Sequence, residues 1–564
     1  MTSPTTCSKN RRLFSRREMV WLSGTALLTG RAWGVLSEGD RKWAEAKLRQ
    51  LSLAERVGQM MSVHKGVAGL REGLRVGKAG SLQVPRAGKT TARDVVEFNN
   101  EIQSLTRIPL ITMGAVEAGM GKVAREATVF PNNMAIGATD SEELAHAAAR
   151  VTAKEARALG IFWPGVTVAD VNSNPLNPII NTRSFGDSPE KVSRLLVASI
   201  RAVQDERLIS TANHFPGHGA TSQDSHLELP TVDRTREELD RIDLPPFRAA
   251  IAAGVGTMCT AHICYPALEP DQKLPATMSK AILTKLLRDE LGFEGFVHSD
   301  SLMMEAITRN FTFADAAVQS VRAGCDVLLA YPDWEECFKA VLTAAEKDGE
   351  FRSRVDESAG RLLAWKRWVG LFDAKPIDLE SCLAVLSNPA HKNTAARVAR
   401  ASMTAVRGNE FLSSLSQRER PLCIVGRQRR PDPSHAALLE LLRERWPEAT
   451  SFELEVEPTA ERLRELDGRA KGADAVIFLG FTEVRNNHPD SVRFPKRQAE
   501  AVARLSRDVP LAVLCFGSPY AVDGFPDARA LACAYDKIPV CLSAAVDALL
   551  GKQPWPGKPP VKLG

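Results

Sequence analysis

Short apolar runs alternate with helical patterns from about residue 40 to about residue 370. The runs Gly80–Val84, Leu110–Met113, Val166–Val171, Leu208–Asn213, Gly256–Ala261, Gly295–Ser299 and Asp326–Ala330 predict buried strands. Between them, Ser141–Leu159, Pro189–Glu206 and Ser279–Leu291 carry the spacing of amphipathic helices. Ser141 and Ser279 stand where N-caps belong, and Gly160 and Gly292 where helices should stop. Repeated strand–helix alternation predicts a parallel sheet. Seven candidate strands over this span fit a β/α (TIM-like) barrel better than a simple open sheet.

The alternation breaks at Phe372–Asp378 and resumes in a second α/β unit. Its expected strands are Leu422–Val425, Ala475–Leu479 and Leu511–Phe516, after a helix near Ala395–Met403. The expected organisation is therefore a barrel over 40–373, a linker over 374–394 and a C-terminal α/β sandwich domain over 395–564. The stretch Pro554–Pro560 holds four prolines in seven residues and cannot be helical. No Gly-rich phosphate-binding motif opens any helix, so no nucleotide is indicated and no cofactor is expected.

Length and composition suit a soluble globular enzyme: 564 residues, 44% hydrophobic, 25% charged. The net charge of +5 resides in residues 1–34, which hold six basic groups and one acid; the remainder balances at 67 against 67. A balanced body gives no electrostatic reason to expect a nucleic-acid partner. Ser15-Arg16-Arg17-Glu18-Met19-Val20 is a twin-arginine pattern, followed by a short, weakly apolar stretch to Leu28. Residues 1–34 thus read as an export signal, which predicts a periplasmic or extracytoplasmic destination. No later run of 18 apolar residues exists, so no stable membrane insertion is expected. The ten cysteines form no C-x-x-C pair, and Cys325 and Cys515 lie in apolar runs as core residues would. Nothing in the pattern specifies an oligomeric state.

Candidate chemistry sits at strand ends. Asn213-His214-Phe215-Pro216-Gly217-His218-Gly219 is followed by Asp224-Ser225-His226. Pro216 and the glycines exclude a helix, so His214 and His218 cannot form a helical zinc pair, and no metal site is expected. Asp224 and His226 are spaced so that the carboxylate can hold one imidazole nitrogen while the other faces a substrate. The same spacing also suits a hydrogen-bonded loop anchor. Asp300 ends the apolar run Phe296–Ser299, where barrel chemistry occurs, or else caps a helix over Met303–Thr308. His298 shares its side of the strand and reads as a core histidine. Arg183 follows another expected strand and reads either as a substrate-binding fork or as half of a structural ion pair. Gly517-Ser518-Pro519 lacks the second glycine of a serine-hydrolase elbow.

These motifs together resemble glycoside hydrolase family 3, in its β-N-acetylglucosaminidase branch. The resemblance runs through Phe130-Pro131 with Met134–Thr139, Asn177–Gly186, His214–Gly219, Asp224-Ser225-His226 and Gly292–Asp300. It continues through Phe516–Tyr520 and the tail Gly557–Val561. The resemblance implies that Asp300 is the nucleophile of a retaining mechanism, His226 the acid/base and Asp224 its tuning carboxylate. It implies that Arg183, His214 and His218 bind the sugar or shape its site. Asn213 stands where the family typically has lysine, and Glu117 where it typically has aspartate gripping sugar hydroxyls. Losing a charged donor removes roughly 1.5–3 kcal/mol per hydrogen bond. The implied function is hydrolysis of terminal β-linked N-acetylglucosamine from peptidoglycan- or chitin-derived glycans. The alternatives are a β-glycosidase of altered specificity, a phosphorylase, or a sugar-binding protein with impaired catalysis.

Overall fold

The computed structural model describes residues 36–84, 90–165, 167–330, 333–485 and 488–563. The twin-arginine pattern lies outside them. Seven parallel strands form the first sheet: β1 (Met61–His64), β2 (Ser81–Gln83), β3 (Ile111–Met113), β4 (Thr211–Phe215), β5 (Thr257–Thr260), β6 (Phe296–Ser301) and β7 (Val327–Leu329). Their order is β3-β2-β1-β7-β6-β5-β4, a curled, TIM-like arrangement. Single parallel bridges, Met113 to Trp163 and Val168 to Asn213, span the gap between β3 and β4.

That gap corrects one expected strand. The run Val166–Val171 predicts a regular strand, but among its described residues only Val168 bridges. Beyond it the backbone pairs elsewhere: Asp170 O accepts from Ser184 Oγ at 2.7 Å and Asn172 N donates to Gly186 O at 2.9 Å. The missing strand is β1, whose apolar run is broken by Ser62. Strand β4 starts three residues later than its pattern indicates.

The expected helices form at Glu142–Ala158, Pro189–Asp205 and Ala281–Glu290, the last in the wider π form. Ser141 Oγ accepts from Leu144 N and Ser279 Oγ from Ile282 N, as capping requires. Gly160 and Gly292 follow these helices with φ of +71° and +74°, a region favourable only to glycine.

The second sheet contains β8 (Thr404–Arg407), β9 (Pro421–Gly426), β10 (Thr450–Leu454), β11 (Ala475–Phe481), β12 (Leu511–Phe516) and β13 (Ala530–Cys533). Its order is β10-β9-β11-β12-β13-β8, parallel except for β8 against β13. Apolar clusters cover both faces. Met134, Ala135 and Ala138 of the helix Asn133–Thr139 pack into one of them. Segment 374–394 holds a helix, Leu379–Leu386, whose Cys382 and Leu386 join the core of the first sheet. The proline-rich tail is extended and strapped down: Gly557 N donates to Met403 O, Lys558 N to Ala138 O and Asp187 N to Pro560 O. The nine described cysteines are buried free thiols.

Candidate active site

Asp300 lies near the carboxyl end of β6, in a strand rather than at a helix start. The following helix, Glu305–Thr308, has Met304 rather than Asp300 at its N-cap. Two adjoining cavities of about 470 and 660 Å³ open here, and Ala115, Glu117, Arg183, His214, His226 and Asp300 line both. Gln83, Met113, Cys259 and Leu329, from the carboxyl ends of β2, β3, β5 and β7, line the inner one. The cavity therefore sits where barrel strands deliver side chains.

Burial alone would push the Asp300 carboxyl up. The neighbouring His214 and His262, the Ser301 amide at 2.7 Å and His226 outweigh it and hold the pKa down to about 2. Asp300 is thus an anion at neutral pH.

Asp224 is fully buried and its Oδ1 takes both the backbone N of His226 (2.9 Å) and its Nδ1 (2.8 Å). This bond is the main reason the His226 pKa is raised, against the opposing effect of burial. The imidazole is half exposed, with Nε2 on its far side. His226 O accepts from Glu305 N at 3.2 Å, which ties the histidine loop to the chain leaving β6.

Arg183 and Glu117 meet each other. Nη2 reaches Oε1 at 2.6 Å and Nε reaches Oε2 at 2.9 Å, a bidentate pair. Burial opposes the charge on Arg183, but Glu117, with Asp170 and Asp300 further off, raises its pKa overall. His214 bonds Asp170 through Nδ1 at 2.7 Å, and Asp170 also accepts from His218 N at 2.7 Å. Asn213, the neighbour of His214, lines the inner cavity. His218 is buried between Thr221 Oγ1 (2.9 Å) and Ser225 Oγ (3.0 Å). Burial, helped by His214, lowers its pKa to about 4 and keeps it neutral.

Every candidate catalytic or sugar-binding residue thus borders at least one of the two cavities except Asp224, which reaches them through His226. Asp170 and His262 support the site with little signature in the sequence. Asp170 organises the His214–His218 turn, and its only signal was a carboxylate at the end of an apolar run. His262 follows β5, bonds Thr277 Oγ1 and Ser301 O, and faces Asp300 electrostatically. His298 is buried against Trp163, with ring centroids 4.7 Å apart, and also lines the inner cavity. Burial lowers its pKa to about 4. Among the described residues, no group of three or more His, Cys, Asp or Glu side chains is arranged to hold a metal ion. No described helix is long and apolar enough to cross a membrane.

A β/α-barrel with a carboxylate and a carboxylate-held imidazole around one cleft has the parts of a glycoside hydrolase. The chain belongs to glycosyl hydrolase family 3: residues 47–365 match the profile "Glycosyl hydrolase family 3 N terminal domain". A β-N-acetylglucosaminidase/β-glucosidase from Cellulomonas fimi is 30% identical over 93% of this chain and 96% of its own length. The structure of a family 3 β-N-acetylglucosaminidase from a Paenibacillus species superposes with TM-score 0.79 at 30% identity, over 91% of this chain and 99% of that one. The β-glucoside phosphorylase BglX shares the fold, with TM-score 0.84 at 23% identity over 95% and 99%.

Proposed function

We propose that this glycoside hydrolase is a retaining β-N-acetylhexosaminidase that releases terminal β-linked N-acetylglucosamine from peptidoglycan- or chitin-derived glycans. The observation that carries this reading is that Asp300 and His226 line the same cavities, one ionised, the other held by Asp224. The Asp300 carboxylate attacks the anomeric carbon as the bond to the leaving oxygen breaks, and His226 Nε2–H gives its proton to that oxygen. The resulting glycosyl ester is cleaved by water, whose proton returns to His226. Two inversions at one carbon leave the configuration retained. Arg183, Glu117, Asn213, His214 and His218 shape and hold the sugar. The Arg16-Arg17 pattern supports action outside the cytoplasm.

The test is a panel of aryl β-glycosides differing at the 2-substituent, assayed on the wild type and on Asp300→Ala. Turnover should be fastest with the 2-acetamido sugar and vanish in the variant while the circular dichroism spectrum stays unchanged. Unchanged turnover in Asp300→Ala would remove the reading. Phosphorolysis is the second reading, favoured by an imidazole acid/base that repels an anionic acceptor less than a carboxylate does, and by Lys122 on the outer cavity. Formation of sugar 1-phosphate in phosphate buffer would select it.

A further inference from the structure

The second sheet has a crevice of its own. Numbered from β9, its five parallel strands run in the order 2-1-3-4-5, with β8 added at the far edge. The chain leaving β9 enters the helix Pro433–Arg445, whose Leu438 and Leu442 belong to the cluster on one face. The chain leaving β11 leads to the helix Lys496–Ala503, whose Ala501 and Val502 belong to the cluster on the other. Neighbouring strands whose connections depart to opposite faces leave a gap outside their carboxyl ends, and open α/β sheets bind ligands in that gap. Here the gap is a cavity of about 780 Å³, larger than either cavity at the barrel mouth.

Its lining has two characters. Phe481, Phe494, Pro495, Ala499, Ala503 and Ala521 supply an apolar floor. Gln428 and Arg429 follow β9, Arg485 follows β11, and Arg493 and Lys496 stand further along the same connection. Three carboxylates also line it, but Glu483 accepts from the Arg430 amide and Glu500 faces Lys496 at 4.0 Å. Arg429, Arg485 and Arg493 make no ion pair with Asp490 or any other acid among the described residues. A guanidinium left without a carboxylate has its planar donor fork available to a carboxylate or phosphate oxygen.

The geometry points to a second binding site in this cavity for a small organic anion, with its acidic head on Arg429, Arg485 and Arg493 and an apolar body over Phe481 and Phe494. The site is separate from the glycosidase cleft: no residue lines both. The probe is phenyl phosphate, with inorganic phosphate and phenol as half-ligands, titrated calorimetrically into the full-length protein. Phenyl phosphate should saturate one site, and each half-ligand should bind at least about tenfold more weakly, a difference of about 1.4 kcal/mol. Arg485→Ala/Arg493→Ala should weaken phenyl phosphate by about tenfold or more while leaving kcat/KM on the aryl glycoside within about twofold. Asp300→Ala should bind the probe like the wild type. Absence of saturable binding, equal binding by the arginine variant, or loss of binding in Asp300→Ala would each overturn the assignment. Failure of this site leaves the glycosidase reading untouched.

Discussion

At the residue scale, the proposed acid/base, His226, depends on one hydrogen bond, from its Nδ1 to Asp224 Oδ1 at 2.8 Å. Asp224 stabilises the protonated form of His226, so its pKa lies above the ordinary histidine value. The proton donor therefore persists to higher pH, and the alkaline limb of kcat/KM reports it. In Asp224→Asn the charge is gone, and that limb should move to lower pH. The acid limb should stay far below it, because Asp300 is held to about 2. A pH–rate profile whose alkaline limb does not move would separate Asp224 from the proton donor. Glu117 invites a second substitution. Its bidentate grip orients the Arg183 fork, and Glu117→Gln keeps the shape while removing the charge. KM for the aryl glycoside should rise about tenfold, equivalent to about 1.4 kcal/mol, with kcat less affected. The pair also shows where sequence reading falls short. Arg183 reads in the sequence as a substrate-binding fork or half of an ion pair, and Glu117 enters only through the family resemblance; their mutual bond joins positions 66 apart and has no local signature.

At the element scale, the strands of the first sheet except β1, and the long apolar strands of the second, are legible, while β1, β8, β10 and β13 are not. β9, β11 and β12 are almost continuously apolar because both faces of their sheet are covered. β10 reads Thr-Ser-Phe-Glu-Leu, with its first two residues exposed at a sheet edge, and β1 has a serine in its middle. Their strand character comes from neighbours distant in sequence, so period alone misses them. Asp170 was hidden for the same reason, since its role exists only once the His214–His218 turn folds over it. One element tests how the site is braced. The helix Asn133–Thr139 lies so close to the turn carrying Arg183 that a Cβ on Gly137 would sit 1.8 Å from Phe185 O. Gly137→Ala should destabilise the protein by about 1–3 kcal/mol in urea unfolding, as overpacking does. It should also lower kcat/KM, because the obstructed backbone is that of the Arg183 turn.

At the scale of the whole molecule, the tail joins structures far apart in sequence. It accepts from Asp187 N through Pro560 O, donates from Lys558 N to Ala138 O, and donates from Lys562 N to Asp187 Oδ2 at 2.7 Å. Gly186, with φ of +150°, leaves the space that Pro560 O fills. Truncation after Pro556 removes these three bonds and that of Gly557 N to Met403 O, and should lower stability by roughly 4 kcal/mol, at about 1 kcal/mol per lost hydrogen bond. The thermal midpoint and aryl-glycoside activity should fall together, since the released partners flank the Arg183 turn. The central claim remains that a side chain near the carboxyl end of β6 and one from the loop after β4 act on one sugar ring. Incubation with a 5-fluoro N-acetylglucosaminyl fluoride tests it most directly, because the fluorine slows both steps and the fluoride leaving group restores the first. Mass spectrometry of the digested protein should find one glycosyl adduct, on the peptide containing Asp300. Continued turnover with no adduct, or an adduct on a different residue, would contradict the account.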